Sequence, residues 1–284
     1  MDNPSDFQRL LACIELEPLD TFLFRGLTPG DRGRRVYGGQ VLAQAMNAAA
    51  RTVEEDRQAH SLHAYFLRPG DPRQPIIYEV DPIRDGRRFS TRRVIARQSG
   101  RAIFSTSVSY QIPEDGLEHQ TLMPGVPEPM SLDDDLPLRR KMAEKHGEAG
   151  FHPIEYRPVE GYDDWPTSEG EARFGVWFRT RERLDDNPGL HQAMVAYMSD
   201  NHLMSTALRP HGRRFDNPDL QTASLDHALW FYGPMRADEW LYYDLSSPRS
   251  FGGRGSNFGR IYTADGRLIA TVAQEGLMRW TDRD

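Results

Sequence analysis

The amino-acid pattern predicts an α+β protein made of two fused copies of one unit, each an antiparallel sheet wrapped around a central helix. Three observations carry that prediction. Gln-Ala-Met occurs at Gln44 to Met46 and again at Gln192 to Met194, 148 residues apart and inside small-residue helical patterns both times. An apolar run closes at Pro69 in the first half and at Pro234 in the second, 165 residues apart. Gly100-Arg101 returns 166 residues later as Gly266-Arg267. A repeat that keeps its element order fixes the architecture before any motif is weighed.

Along the chain, Gly38 to Val53 reads as a helix with Val41, Leu42, Ala45, Met46 and Ala49 on its apolar stripe, followed by a strand from Ser61 to Leu67. Asp85-Gly86 and Ser99-Gly100 then mark hairpins, because such dipeptides supply residues that tolerate tight turns. Pro113, Pro124, Pro127, Pro129 and Pro137, with the run Asp133-Asp134-Asp135, predict a connecting segment, and a short helical pattern covers Leu138 to His146. The expected organisation is a first unit over 1–112, a linker over 113–150 and a second unit over 151–284. The second unit repeats the order with a helix from Leu190 to Leu208, an apolar run from Ser224 to Tyr232, and turns at Gly252-Gly253 and Asp265-Gly266. The change of offset from 148 to 165 places an insertion at His211 to Gln221, a stretch rich in loop-forming residues.

Composition narrows the function. A formal charge of −7 and a pI near 5.7 argue against wholesale nucleic-acid binding, which calls for a basic surplus. Cys13 stands alone, so neither a disulfide framework nor a cysteine-rich zinc site is expected, and a reducing compartment fits. The polar start Met1-Asp2-Asn3-Pro4 lacks the pattern of a signal peptide, no apolar run reaches membrane-span length, and the last residues are no peroxisomal tripeptide. The expected location is the cytoplasm.

Polar residues stand where the repeat calls for apolar ones. In the strand from Ala102 to Gln111, Phe104, Thr106, Val108 and Tyr110 share one face, and an offset of 166 carries them onto Ala270, Val272, Gln274 and Gly276. Gln274 thus replaces Val108 on a face that should be buried, where an unpartnered amide costs about 1–3 kcal/mol. Asp200 falls on the apolar stripe of the second helix with Ala193, Ala196, Tyr197, Leu203, Met204 and Ala207, opposite Thr52 in the first half. Asp is a poor mid-helix residue and is rarely buried unpaired. Ser224 heads the apolar run. Each of the three also has an ordinary explanation, as a strand-end amide, a cap or a backbone-bonded hydroxyl; what singles them out is that all three lie in the second half, in elements that pack together if the helix lies on the sheet.

These residues belong to blocks that resemble the type II acyl-CoA thioesterases of bacteria and peroxisomes, whose chains are two fused hotdog units. The matching blocks are Tyr37-Gly38-Gly39-Gln40, His60 to Asp71, Arg84 to Ser90, Ser199-Asp200, Leu208 to Gly212, Ser224-Leu225-Asp226-His227 and Gln274-Glu275-Gly276. The resemblance implies a double hotdog fold and hydrolysis of medium- to long-chain fatty acyl-CoA to free acid and CoA by carboxylate-activated water. It implies that Asp200, Ser224 and Gln274 hold that water, that no cofactor or metal is needed, and that the double units associate as a homo-oligomer, a dimer or tetramer. His63 is expected near the substrate. Arg87 and Arg88, in a cluster with Arg84, Arg92 and Arg93, are expected at the CoA phosphates, though a solvated hairpin would look the same; Arg254 and Arg260 are a second candidate set.

Other chemistries fit less well. No Gly-x-Ser-x-Gly elbow exists, and Gly253-Arg254-Gly255 is followed by Phe258 where a dinucleotide fingerprint needs its third glycine. Asp185-Asp186-Asn187-Pro188-Gly189-Leu190-His191 approaches the signature of hotdog enoyl-CoA hydratases, but its spacing is shifted by one residue, about 100° on a helix, and it reads as a helix cap. A non-catalytic acyl-CoA binder of the same fold would not need the three polar residues together. His60 and His63 lie on a strand pattern that points them to opposite faces, so no metal pair is expected.

Overall fold

The structure, a computed structural model, describes residues 4–28, 35–145, 151–160, 171–215 and 217–281. Helix α1 (Asp6–Ile14) and strands β1 (Glu17–Asp20) and β2 (Leu23–Gly26) lead into helix α2 (Gly38–Ala50) and strands β3 (Gln58–Phe66), β4 (Ile76–Asp85), β5 (Phe89–Gln98) and β6 (Arg101–Gln111). Helix α3 (Leu136–Lys145) precedes β7 (Ile154–Pro158), β8 (Arg173–Thr180), α4 (Pro188–Ser199), α5 (Leu203–Thr206), β9 (Leu220–Ser224), β10 (Asp226–Phe231), β11 (Leu241–Phe251), β12 (Arg254–Thr263) and β13 (Leu268–Trp280). Helix α1 was not anticipated by the repeat. A reciprocal Ser5–Gln8 capping box starts it, and it buries Phe7, Leu10 and Ile14 beside α2.

The strands form one antiparallel sheet in the order β1-β2-β4-β5-β6-β3-β10-β13-β12-β11-β8-β7, with β9 beside β13. That order repeats outward from its centre, so β3, β6, β5 and β4 of one half correspond to β10, β13, β12 and β11 of the other. His63 pairs with Ala228, its own counterpart at the 165-residue offset, which puts a pseudo-two-fold axis at the β3–β10 seam. Next to that pair, Leu62 and Leu229 face each other, both fully buried. The expected alternation holds in β6, where Phe104, Thr106, Val108 and Tyr110 are buried and the intervening serines are not. The expected turns hold as well: Ser99 and Gly100 (φ 47° and 76°), Gly252 and Gly253 (φ 60° and 73°) and Gly266 (φ 87°) take the left-handed conformations that short hairpins require.

Two expectations fail locally. The second helix is not continuous: α4 stops at Ser199, Asp200 is its C-cap, and His202 at φ 64° is left-handed, which a right-handed helix cannot propagate. Nor is Ser224 to Tyr232 one strand. Ser224 pairs with Gly276 and Ala228 with Ala273, so four steps on one side face three on the other, a β-bulge at Leu225. The first half carries the same bulge between Ala59 and Ser61. It turns His60 onto the outer face, bonded to Ser109 (2.8 Å), so His60 and His63 share a face after all. No cluster of three or more potential metal ligands occurs among the described residues.

Part of the proline-rich connection is bound to the second half. Its Met123, Val126 and Leu132 cover Trp177, Tyr242 and Tyr262 on the outer face of the second sheet, and the Trp177 indole N–H donates to the Pro127 carbonyl (2.9 Å). No helix among the described residues is long and apolar enough to cross a membrane. If the seam is a packed core, Leu62→Ala should lower unfolding free energy by about 2–5 kcal/mol in urea titrations; a loss below about 1 kcal/mol would mean that the halves pack loosely there.

Candidate active site

Helices α2 and α4 lie side by side and run in opposite directions, so the N-terminus of α2 meets the C-terminus of α4. Tyr37 reports the contact: its hydroxyl donates to the Tyr197 carbonyl (2.9 Å) and its ring packs edge-on against Tyr197. Gly38 and Gly39 permit the approach. A β-carbon on Gly39 would overlap the Tyr197 carbonyl, and one on Gly38 would stand 2.7 Å from Asp200 Oδ2 and 3.0 Å from the Phe66 ring.

Asp200 sits in this junction with its side chain only 6% exposed. Gly39 N–H donates to Oδ2 (3.0 Å) and Gln274 Nε2 donates to Oδ1 (2.8 Å), and the Ser224 side chain is close enough to stabilise the carboxylate. Burial pushes the Asp200 pKa up, and the bonds from Gln274, Gly39 and Ser224 only partly oppose it. The three residues singled out by the repeat therefore converge on one point, and a donor from the first half joins them. That donor brings the first half of the chain into the site.

The bulge explains how Ser224 joins. Gly276, the partner of Ser224, and Gln274 both face inward on β13, and the extra residue at Leu225 turns Ser224 and His227 to that same face although they are three apart. The Asp226 carboxylate accepts the Glu275 amide (2.6 Å), pinning the irregular segment. Behind Gln274, His227 is fully buried; its Nδ1 lies 3.1 Å from Gln274 Nε2 and its Nε2 lies 2.9 Å from Ser199 Oγ. Burial lowers its pKa to about 3, so the imidazole is neutral. Sequence reasoning quoted His227 within a motif but gave it no role.

The remaining expected residues are elsewhere. His63 points to the outer face, stacked edge-on against Trp230, away from Asp200. Arg87 and Arg88 stand on the β4–β5 hairpin beyond the C-terminal end of α2, while Asp200 lies at its N-terminal end, about 20 Å away along a 13-residue helix. Arg88 pairs with Glu114 and Arg93 with Asp81, and Arg92 is buried. Asn187 accepts from Gly189 N (3.0 Å) and Leu190 N (3.2 Å) ahead of Pro188, which makes the hydratase-like stretch a helix cap; Asp186 is tied to Arg236, and His191 Nδ1 accepts the Ala237 amide (3.1 Å).

The counterpart of this site in the first half is closed. At the repeat offsets Asp200, Ser224, His227 and Gln274 correspond to Thr52, Ala59, Leu62 and Val108, and Asn257, which pairs with Gln274, corresponds to Arg92, which pairs with Val108. The Arg92 guanidinium fills the place, donating to Thr52 Oγ1 (3.0 Å), the Thr52 carbonyl (2.8 Å) and Asp85 (2.7 Å).

Two halves of one sheet, each wrapped on one helix and joined edge to edge beside the Asp200 carboxylate, define a double hotdog protein. Residues 148–277 match the acyl-CoA thioesterase family and residues 28–111 its N-terminal domain. The chain is 38% identical to acyl-CoA thioesterase 2 of Haemophilus influenzae, over 96% of this chain and 98% of that protein. It superposes on the crystal structure of an acyl-CoA thioesterase II, TesB2, from Mycobacterium marinum with a TM-score of 0.81 and 40% identity, covering 96% and 99% of the two chains. A hot dog fold protein of unknown function from Alicyclobacillus acidocaldarius, 18% identical, has a TM-score of 0.78 over 96% and 98% of the chains and shows the fold alone. The protein belongs to the acyl-CoA thioesterase family.

A carboxyl with a raised folded-state pKa binds its proton more tightly folded than unfolded, so its contribution to stability is present at low pH and is lost as pH rises through that raised value. The melting-temperature difference between Asp200→Asn and wild type should therefore move in the variant's favour as pH rises from the ordinary carboxylate range to neutrality. A flat or opposite trend would contradict the buried-charge assignment.

Proposed function

We propose that this chain hydrolyses acyl-CoA thioesters at one site, with Asp200 as general base on a water that Gln274 and Ser224 hold. The observation that carries the reading is the state of the Asp200 carboxylate. Of its roughly four acceptor positions, two are taken by Gly39 and Gln274, leaving room for the nearby Ser224 hydroxyl and a proton of water. Gln274 Oε1, buried and without a partner among the described residues, is a second acceptor for the same water.

In this reading the water oxygen attacks the thioester carbonyl carbon while its proton passes to Asp200. The negative charge grows on the carbonyl oxygen at the N-terminus of α2, where Gly38 N–H has no helical partner and the helix dipole is favourable. The C–S bond then breaks and the proton on Asp200 leaves with the thiol, so no acyl-enzyme forms. A placed base contributes about 10²–10⁴ in rate and an oxyanion donor about 3–4 kcal/mol. The raised pKa of Asp200 suits the task, since it makes the carboxylate a stronger base.

The substrate range we favour is medium- to long-chain fatty acyl-CoA, acted on in the cytoplasm by a homo-oligomer. Tyr65 and Phe258, exposed on the outer face near the seam, support association of the double units. For the CoA phosphates we favour Arg254, paired with Glu275 as Arg88 is with Glu114, over the hairpin of Arg87 and Arg88, because Arg254 stands opposite Leu277, three residues from Gln274.

Asp200→Asn should cut acyl-CoA turnover by at least about a hundredfold, measured as free-thiol release across chains of four to eighteen carbons. Ser224→Ala and Gln274→Ala should each cost roughly tenfold. Near wild-type turnover by Asp200→Asn would overturn the reading. Charge reversal at Arg254 should raise KM for acyl-CoA several-fold while reversal at Arg87 and Arg88 leaves it unchanged; the opposite result would put the phosphates on the β4–β5 hairpin.

A further inference from the structure

We infer that His227 is a positioning residue for the hydrolysis: as a neutral imidazole protonated on Nε2, it accepts from Gln274 and so holds that amide with its nitrogen toward Asp200 and its oxygen toward the attacking water. The inference rests on the assignment of Asp200 and Gln274 above, and it follows from donors and acceptors taken in turn. Gln274 Nε2 must be the nitrogen, because it bonds the Asp200 carboxylate at 2.8 Å. Its second N–H reaches His227 Nδ1 at 3.1 Å, so Nδ1 accepts. The ring proton is then on Nε2, which donates to Ser199 Oγ at 2.9 Å, and the Ser199 hydroxyl donates to the Ala196 carbonyl at 2.9 Å. The chain of bonds ends on the backbone of α4 at Ala196, four residues before Asp200.

Packing alone does not call for an imidazole here. Leu62 occupies the corresponding position of the first half, inward-facing and fully buried, in the half where Thr52, Ala59 and Val108 replace Asp200, Ser224 and Gln274. The buried His and the three polar residues thus occur together or not at all. A buried imidazole is costly unless bonded, and His227 spends its acceptor on the side chain that donates to Asp200 from β13. With Asp200 alone as partner, the Gln274 side chain could swing about that single bond; two acceptors fix its plane. Protonation of Nδ1 would set a donor against a donor, and burial keeps that form from appearing at neutral pH.

The test is a double-mutant cycle in kcat for an acyl-CoA, with Gln274→Ala as the second mutation. His227→Leu, which copies the first half, should lower kcat about tenfold with KM little changed. In the Gln274→Ala background it should cost nothing further. His227→Asn, whose side-chain oxygen can stand in for Nδ1, should recover most of the loss. The acid limb of kcat/KM should move to higher pH in His227→Leu, because a loosened Gln274 no longer holds the Asp200 pKa down. Should the leucine variant not fold, Ser199→Ala serves the same cycle, since it removes the acceptor that selects the Nε2–H tautomer. An equal loss from the His227 or Ser199 change with and without Gln274 would overturn the inference while leaving Asp200 and Gln274 in place. An unchanged kcat in Gln274→Ala itself would instead sink the reading on which the inference rests.

Discussion

The bond from Gly39 N–H to Asp200 crosses from one half of the chain to the other, and most of what distinguishes the site depends on the helix contact that makes it possible. Helices α2 and α4 can lie close because Gly38, Gly39 and the alanines around them are small. Their opposed directions then bring the positive end of α2 to the negative end of α4. A carboxylate at a helix C-cap is poorly placed for that helix alone. Here the neighbouring N-terminus offers an amide to it and leaves a second amide beside the place where a thioester oxygen would stand.

The pseudo-two-fold axis creates the same juxtaposition a second time, at the C-terminal end of α2, and the chain has disposed of it. Thr52, Ala59, Leu62 and Val108 are smaller or apolar, and Arg92 is held there by three hydrogen bonds to Thr52 and Asp85. A buried guanidinium satisfied by Thr52 and Asp85 is a structural element, which explains why the arginine cluster of that hairpin looks more like a substrate site in sequence than in three dimensions. The two ends of α2 have therefore diverged into a junction with a buried carboxyl and a closed one. Ionising that carboxyl out of water has a cost in stability, and the network of Gln274, Ser224 and His227 is the compensation that makes the charge tolerable.

Much of this was legible in the sequence. Duplication, turn dipeptides and period-two alternation showed the succession of helix, strand and hairpins within each half, though not that β3 crosses to pair with β6, and isolated Asp200, Ser224 and Gln274 as polar intrusions. The rest was hidden for identifiable reasons. A helical stripe continues through Asp200 in the pattern, and nothing in residue spacing announces that His202 turns left-handed. Strict alternation sends Ser224 and His227 to opposite faces, and only the bulge at Leu225 reunites them. The contribution of Gly39 depends on how two helices far apart in sequence meet, which local periodicity does not encode. His63 was misjudged for a related reason: it lies on the seam beside the site's strands, but on the other face of the sheet.

The central claim is that Asp200 delivers water directly to the thioester and never carries the acyl group. A single turnover in ¹⁸O-labelled water, with enzyme in excess over acyl-CoA, tests it most directly. Direct attack places one labelled oxygen in every fatty acid released and none in Asp200. Unlabelled fatty acid together with ¹⁸O in the peptide containing Asp200 would contradict the account.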